Sequence, residues 1–403
     1  MKAVDKIVAE IIEEVRTGGD DAIKLICERV GDKPPRELSA EELKTACGRL
    51  RADRKEVIDF AAANIRTFAS AIMQQIKQVE VSFDGYCAGM RFAPVARAAC
   101  YVPGGRYPLP STALMTTLPA TLAGVEEIYV MGPALTDDVI YAGTIGGATR
   151  FFEVGGAQAV AAAAFGTAWI PRADIIVGPG NAFVAEAKRQ LIGTVGIDML
   201  AGPSEIAVVA DESADADLLI ADLLSQAEHD PEAKCYLLVT TETLANEVRL
   251  RLPLHVRIAR DKLPNFIDES VGKIEIEVCA TVAECAGRSN QIAPEHLLLH
   301  LENAKAQSNL FTTYGAVFIG SNSTVPYGDY CAGPNHTLPT GGTARFSGGL
   351  TPLTFLRTQT WLEVPNPCAQ LSHFTARFAE MEGLHAHARA ARIREQSSSA
   401  SVP

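Results

Sequence analysis

The sequence predicts an α/β fold built on parallel sheet, on three observations. Between residues 96 and 191, short apolar runs that end in glycine are each followed by a segment with helical periodicity. The same alternation restarts near residue 197 and continues to about residue 319. Helical periodicity without strands fills most of residues 1–80 and the stretch from about Thr351 to Arg394. Strand, glycine turn and helix in repeated succession is how a parallel sheet with crossover helices reads in sequence.

Taken in order, Val4 to Val15 and Asp20 to Val30 carry apolar residues at three- and four-residue steps. Ser39 and Glu42 have the spacing of a capping box, and a long helix spans about Lys55 to Gln78. At Val79 the period changes to two, so a β segment runs to about Pro94. Ala96–Val102 reads as a strand stopped by Pro103-Gly104-Gly105, and Pro110-Ser111 opens a helix ending at Ala123. Glu126–Met131, Ala148–Val154 and Ile175–Val177 read as further strands, with helices at about Thr136–Gly143, Gly156–Phe165 and Ala182–Leu191. Their glycine turns, including Gly178-Pro179-Gly180-Asn181, fall at the carboxyl ends of strands, where open α/β sheets bind ligands. No G-x-G-x-x-G stands there, so glycine alone does not single out a dinucleotide.

The second series has strands at Ile206–Ala210, Cys235–Thr240, Lys273–Cys279 and Gly315–Ile319, with a helix over Leu219–Ala233. From residue 320 to Gly349 the chain is irregular. A loop of that length in a compact domain points to function.

Composition sets the limits. The 403 residues are 47% hydrophobic and 21% charged, as expected of a globular protein with more than one core. A net charge of −12 argues against nucleic acid or an anionic membrane as partner. Nine cysteines without a C-x-x-C pair, and no signal-peptide pattern or membrane-length apolar run, lead us to expect a cytoplasmic protein.

Several polar clusters carry chemistry. On a helix over Leu219–Ala233, Gln226 and His229 share a face, roughly 5–6 Å apart at Cβ. An amide oxygen and an imidazole so placed suit zinc, although the same residues would serve as the polar tip of a helix stopped by Pro231. Glu295 and His296 are an adjacent acid and base able to move protons near neutral pH. Asp329, with His336 on the same irregular loop, could supply a third metal donor. Near the end, Glu382 and His385 share a helix face, and spacing alone does not choose between His385 and His387 as the functional imidazole.

Seven longer motifs join these clusters: Tyr-Val-Pro-Gly-Gly at 101–105, Val-Gly-Gly-Ala-Gln-Ala at 154–159, Val-Gly-Pro-Gly-Asn at 177–181, Val-Gly-Ile-Asp-Met-Leu-Ala-Gly-Pro-Ser-Glu at 195–205, Ser-Gln-Ala-Glu-His at 225–229, Ala-Pro-Glu-His-Leu at 293–297 and Ala-Gly-Pro-Asn-His-Thr-Leu-Pro-Thr-Gly-Gly at 332–342. Together they resemble the histidinol dehydrogenase family. The resemblance implies two incomplete Rossmann-like domains with N-terminal helices and a C-terminal helical extension. It implies a helical segment at 1–97 packing with the second α/β unit, a nucleotide-binding domain at 98–203, a zinc and acid–base domain at 204–350, and a dimerisation extension at 351–403. It further implies a homodimer and zinc- and NAD-dependent oxidation of L-histidinol through the aldehyde to L-histidine. By position in the motifs, Gln226, His229, Asp329 and, from the partner subunit, His387 correspond to zinc ligands. Those four, with His296, Ser204, His336 and Glu382, correspond to substrate contacts. Tyr101, Gln158 and Asn181 correspond to NAD contacts, and Glu295 and His296 to the acid–base pair.

The chain departs from the family in two places. The family's Phe-His-x-x-Gln pattern is replaced by Phe68-Ala69-Ser70-Ala71-Ile72, and Phe92 or a neighbour stands where a Trp is usual. Arg106-Tyr107-Pro108, Phe183–Glu186 and Ser347–Leu350 resemble relatives that oxidise a sulfonated propanediol, and Arg106 could serve an anionic substrate.

Overall fold

The structure, a computed structural model, describes residues 2–104 and 108–396, so Arg106 lies outside the described residues. The chain forms two compact units, one of residues 1–73 and 95–355, the other of residues 74–94 and 356–403.

The first unit opens with α1 (Lys2–Val30), β1 (Arg36–Glu37), α2 (Ala40–Arg49) and most of α3 (Ala52–Gln75). Gly19, at φ 54°, breaks α1 into two runs, matching the two helices read from the sequence. The Ser39–Glu42 capping box is formed as expected. After the hairpin β2 (Val79–Phe83) and β3 (Tyr86–Pro94), which belongs to the second unit, the first parallel sheet begins. It runs β4 (Arg97–Tyr101), α4 (Pro110–Ala123), β5 (Glu127–Gly132), α5 (Asp137–Ile145), β6 (Arg150–Glu153), α6 (Gly156–Phe165), β7 (Ile175–Val177), α7 (Ala182–Gln190) and β8 (Gly196–Ile197). The strand order is β1-β6-β5-β4-β7-β8, parallel apart from the antiparallel edge strand β1.

A second parallel sheet follows: β9 (Glu205–Ala210), α8 (Ala216–Ala227), β10 (Lys234–Val239), α9 (Glu242–Ala259), α10 (Ile267–Gly272), β11 (Glu275–Val278), α11 (Val282–Ile292), β12 (His296–His300), α12 (Ala304–Gln307) and β13 (Ala316–Ile319). Its order is β11-β10-β9-β12-β13. Counted from its own first strand, each parallel sheet therefore has the order 3-2-1-4-5, a Rossmann sheet lacking its sixth strand. The expected pair of incomplete Rossmann-like sheets is present. Their central strands are largely apolar and buried. Ile206, Ala207, Val208 and Val209 of β9 are fully buried, because helices cover both faces of the sheet.

Of the N-terminal helices, α3 meets the second α/β unit as expected in one bond, Asn64 Nδ2 donating to the Cys331 carbonyl at 2.8 Å, while the first two pack elsewhere. α1 lies on α6 and α7, and α2 on α5, all helices of the first sheet rather than of the second α/β unit. Two features account for this. Arg36 and Glu37 extend the first sheet by pairing with β6, and Arg36 bonds Glu153 at 2.7 Å. The alanines of α6 (Ala157, Ala159, Ala161 to Ala164) offer a smooth face to Val8, Ile11, Val15, Ile23 and Ile26 of α1. Each of those large side chains contributes about 1.5–3 kcal/mol by leaving water.

In the second unit β2, β3 and β14 (Leu356–Glu363) form an antiparallel sheet of order β14-β3-β2, followed by α13 (Ala369–Met381) and α14 (His385–Gln396), which pack on each other. The sequence reads as helical from Thr351, but Leu356–Glu363 pairs residue by residue with Cys87–Pro94. Most of β14 is exposed in this chain, so its sequence carries little of the alternating apolar signal that marks a strand.

Candidate active site

A cleft of about 490 Å³ in the first unit gathers Asn181, Ser204, Gln226, His229, Glu295, His296, Asp329 and His336. Its location follows from the two sheets. The first sheet contributes the carboxyl ends of its central strands: Pro103 after β4, and Pro179 to Asn181 after β7. That is the point where its strand order reverses, the usual ligand position of such sheets. The second sheet contributes the amino ends of its central strands: Ser204 just before β9, and Glu295 with His296 at the start of β12.

Two helix ends meet the cleft with opposite polarity. α7 presents its amino end, where the Asn181 side chain accepts from the Phe183 and Val184 amides at 3.1 Å each. An amino end favours an anion. α8 presents its carboxyl end, which favours a cation. That helix stops at Ala227, six residues short of the expected Ala233, so His229 stands in the turn beyond it, its amide donating to the Gln226 carbonyl at 3.2 Å. Gln226 and His229 still reach one cleft.

Gln226 is 1% exposed, and neither its amide oxygen nor its amide nitrogen has a partner. An unsatisfied buried polar group costs about 1–3 kcal/mol, so such a side chain is expected to meet a ligand. Among the described residues no three His, Cys, Asp or Glu side chains form a metal-sized cluster. The set here is mixed: one amide, the exposed His229 and the buried Asp329. Glu382, His385 and His387 are exposed in the second unit, at and just beyond the end of α13.

Glu295 and His296 are both buried. Glu295 Oε2 accepts from the Glu205 amide at 2.9 Å, and burial pushes its carboxyl up to about 7. Burial works against the His296 imidazolium, but the Glu295 and Asp329 carboxylates outweigh it and raise His296 to about 9. His296 Nδ1 lies 3.2 Å from the Glu205 carbonyl, which can only accept, so Nδ1 carries a proton. Nε2 has no hydrogen-bond partner and stands 3.5 Å from Asp329 Oδ1. With its pKa at about 9 the ring is charged at neutral pH, so Nε2 also carries a proton, and its lone pair is free only once that proton has left. Burial disfavours the Asp329 carboxylate, yet His296, His336 and His229 hold it below the usual carboxylate range.

His336 is committed on both sides. Nδ1 is 3.0 Å from the Asp329 carbonyl and Nε2 is 3.0 Å from the Thr112 hydroxyl. Burial lowers its pKa, so the ring is neutral, with Nδ1 donating to the carbonyl and Nε2 accepting from Thr112. Thr112 has no signal in the sequence, where Pro110-Ser111 marks only a helix start. Tyr330, another cleft residue, follows Asp329 directly and reads in the sequence only as part of the loop.

Tyr101 and Gln158 are both 3% exposed and do not line this cleft. The Tyr101 hydroxyl accepts from the Gly156 amide at 3.1 Å, and the Gln158 amide nitrogen faces Cys27 at 3.9 Å and Asp32 at 3.5 Å. The turn after β7, beside Tyr101, is tight. At Gly178, φ is 107° and a Cβ would come within 2.1 Å of the Tyr101 carbonyl oxygen, so only glycine fits. Buried Lys188 bonds the Gly178 carbonyl at 3.0 Å and pairs with Asp198, whose other oxygen accepts from the Gly178 amide at 2.7 Å.

The family model described as histidinol dehydrogenase matches residues 1–395. The chain belongs to the histidinol dehydrogenase family. A histidinol dehydrogenase of Methanocaldococcus jannaschii is 38% identical over 395 residues, covering 96% of this chain and 91% of that one. A sulfopropanediol 3-dehydrogenase of Ruegeria pomeroyi is 37% identical over 407 residues, covering 97% and 92%. Among solved structures, a histidinol dehydrogenase from Elizabethkingia anophelis superposes with a TM-score of 0.91 at 31% identity, covering 98% of this chain and 93% of that one. Membership in this family makes the chain an oxidoreductase acting on a small molecule. Among the described residues no helix is long and apolar enough to cross a membrane.

Proposed function

We propose that the chain is a cytoplasmic, zinc- and NAD-dependent histidinol dehydrogenase. It would oxidise L-histidinol through L-histidinaldehyde to L-histidine, acting as a homodimer. The observation that carries this reading is Gln226, a buried amide with both polar atoms unpaired, in one cleft with His229, Asp329 and the Glu295–His296 pair. Gln226, His229 and Asp329 would hold the metal, with His387 of a second copy as fourth donor, and the carboxyl end of α8 adds partial negative charge. Bound there, zinc would orient the substrate and polarise its donor atoms. NAD would accept the hydride of each oxidation. Asn181 and the amino end of α7 suit its phosphates, and Tyr101 and Gln158 would be the further NAD contacts.

In the first oxidation the neutral His296 ring would take the proton of the substrate hydroxyl on Nε2; a metal held by Asp329 would offset the carboxylate that keeps the ring charged and so favour that neutral form. In the second, the aldehyde needs a water, and Glu295 draws a proton from it as the oxygen attacks the carbonyl carbon. Glu295, held near 7 by burial, is half ionised at neutral pH and suited to that exchange. Ser204, His336 and Glu382 complete the substrate contacts, with His336 acting through the face of its ring or after Thr112 yields Nε2.

Three carboxylates, Asp230, Glu295 and Asp329, line the cleft. Their negative charge suits an amine-bearing alcohol. The test is NADH formation from L-histidinol and from a sulfonated propanediol, with and without a chelator. Two NADH per histidinol, lost on chelation and restored by zinc, is expected. Turnover of the sulfonated diol alone overturns the assignment.

A further inference from the structure

We infer that Asp222 is a positioning residue that holds the cleft's three functional segments in register through one buried carboxylate. Asp222 is 6% exposed and lies on α8, one helical turn before Gln226. Its Oδ2 is 2.9 Å from His300 Nε2, and its Oδ1 accepts from the Thr324 hydroxyl at 2.6 Å. His300, 2% exposed, ends β12, whose first residue is His296. Four residues apart on a strand, the two imidazoles point to the same sheet face, with Leu298 between them. Leu298 packs in the same core as Leu219, Ile220 and Leu223 of α8. Thr324 stands on the segment entering the turn Tyr327–Cys331, five residues before Asp329.

Asp222 therefore stands on one element that carries cleft residues and contacts two others. α8 carries Gln226 and leads to His229, β12 carries His296 behind Glu295, and the segment after β13 carries Asp329. Apolar packing alone would hold α8 on β12, since Leu219, Leu223 and Leu298 are fully buried there. Such packing tolerates small slides. A buried carboxylate with two directional partners does not, because a slide leaves a charge unpaired in an apolar setting. A buried carboxylate held by polar partners is a poor source of net stability, so register is the better account of this one. Nothing in the proposed chemistry uses His300 or Asp222 directly.

The inference rests on the zinc and acid–base reading above, and the experiment separates the two. Zinc affinity, by competition with a chromophoric chelator, and steady-state kinetics with L-histidinol are measured on the full-length protein and on Thr324→Val, Thr324→Ser and Asp222→Asn. Thr324→Val keeps the shape and removes one hydrogen bond. We expect it to weaken zinc binding by about tenfold or more, the usual effect of losing an outer partner of a metal site. kcat should fall with it, Thr324→Ser should restore both, and Asp222→Asn should lose more. Wild-type zinc affinity and kcat in Thr324→Val, with only a lower melting temperature, overturns the inference. So does an equal loss in Thr324→Ser, since that makes the methyl group the active part. Failure of the unmodified protein to bind zinc overturns the proposed function instead.

Discussion

Replacing Glu295 with glutamine should make the protein more stable at alkaline pH while impairing one of its two oxidations. Glu295 is 6% exposed, and burial raises its carboxyl to about 7, against 4.5 as its ordinary value. A carboxyl raised in this way binds a proton more tightly in the folded chain than in the unfolded one. Its contribution to stability is thus intact below 4.5 and is lost as pH rises toward 7. Above 7 the folded chain carries a buried carboxylate at a cost of at most about 3 kcal/mol, since one pKa unit is worth about 1.4 kcal/mol. The amide of Glu295→Gln would carry no charge, and its oxygen could still accept from the Glu205 amide, which bonds Glu295 at 2.9 Å. Part of the gain is offset because His296 loses a carboxylate neighbour 3.7 Å away. Thermal unfolding of both proteins at pH 5 and pH 8 should show the variant ahead at pH 8 and the gap narrowing at pH 5. In the half-reactions, aldehyde oxidation should fall by about 10²–10⁴, the range for loss of a general base, and alcohol oxidation by much less. A melting-temperature gap independent of pH refutes the burial argument, and equal loss in both half-reactions refutes the role in activating water.

Two further changes probe the metal site. Gln226→Leu removes an amide with two unpaired buried atoms, so the metal-free protein should be as stable or gain about 1–3 kcal/mol, while zinc content falls to background. Full zinc content in the purified variant counts against Gln226 as a ligand. His387→Asn should reduce zinc content and activity far more than His385→Asn, and the opposite ranking makes His385 the donor.

The sequence made the parallel sheets legible because their strands are buried on both faces and punctuated by glycine, as at Ile175–Val177 before Gly178. β14 is hidden because Leu356–Glu363 is mostly exposed in this chain and carries little of an apolar stripe. α8 reads too long because Glu228 and His229 are compatible with a helix, and only the turn geometry ends it at Ala227. The grouping of Gln226, His229, Glu295, His296 and Asp329 in one cleft is a tertiary fact. Spacing suggests the pairs 226/229 and 295/296 but does not bring them together; the motif resemblance does. Thr112 and Asp222 are invisible in the sequence because their partners, His336 and Thr324, are 224 and 102 residues away. The placement of α1 and α2 is equally hidden, because a two-residue strand such as Arg36–Glu37 has no periodicity to read.

Because the second sheet is used from its amino edge, its opposite edge has no chemical duty. Asp211, Thr240 and Glu302 close the strands there, and β9 alone puts about 20 Å between that rim and the cleft. Connections at that rim, apart from the one leaving β13 that carries Thr324 toward Asp329, are therefore open ground: a lineage could lengthen them, or splice a regulatory module into them, without disturbing the reacting groups.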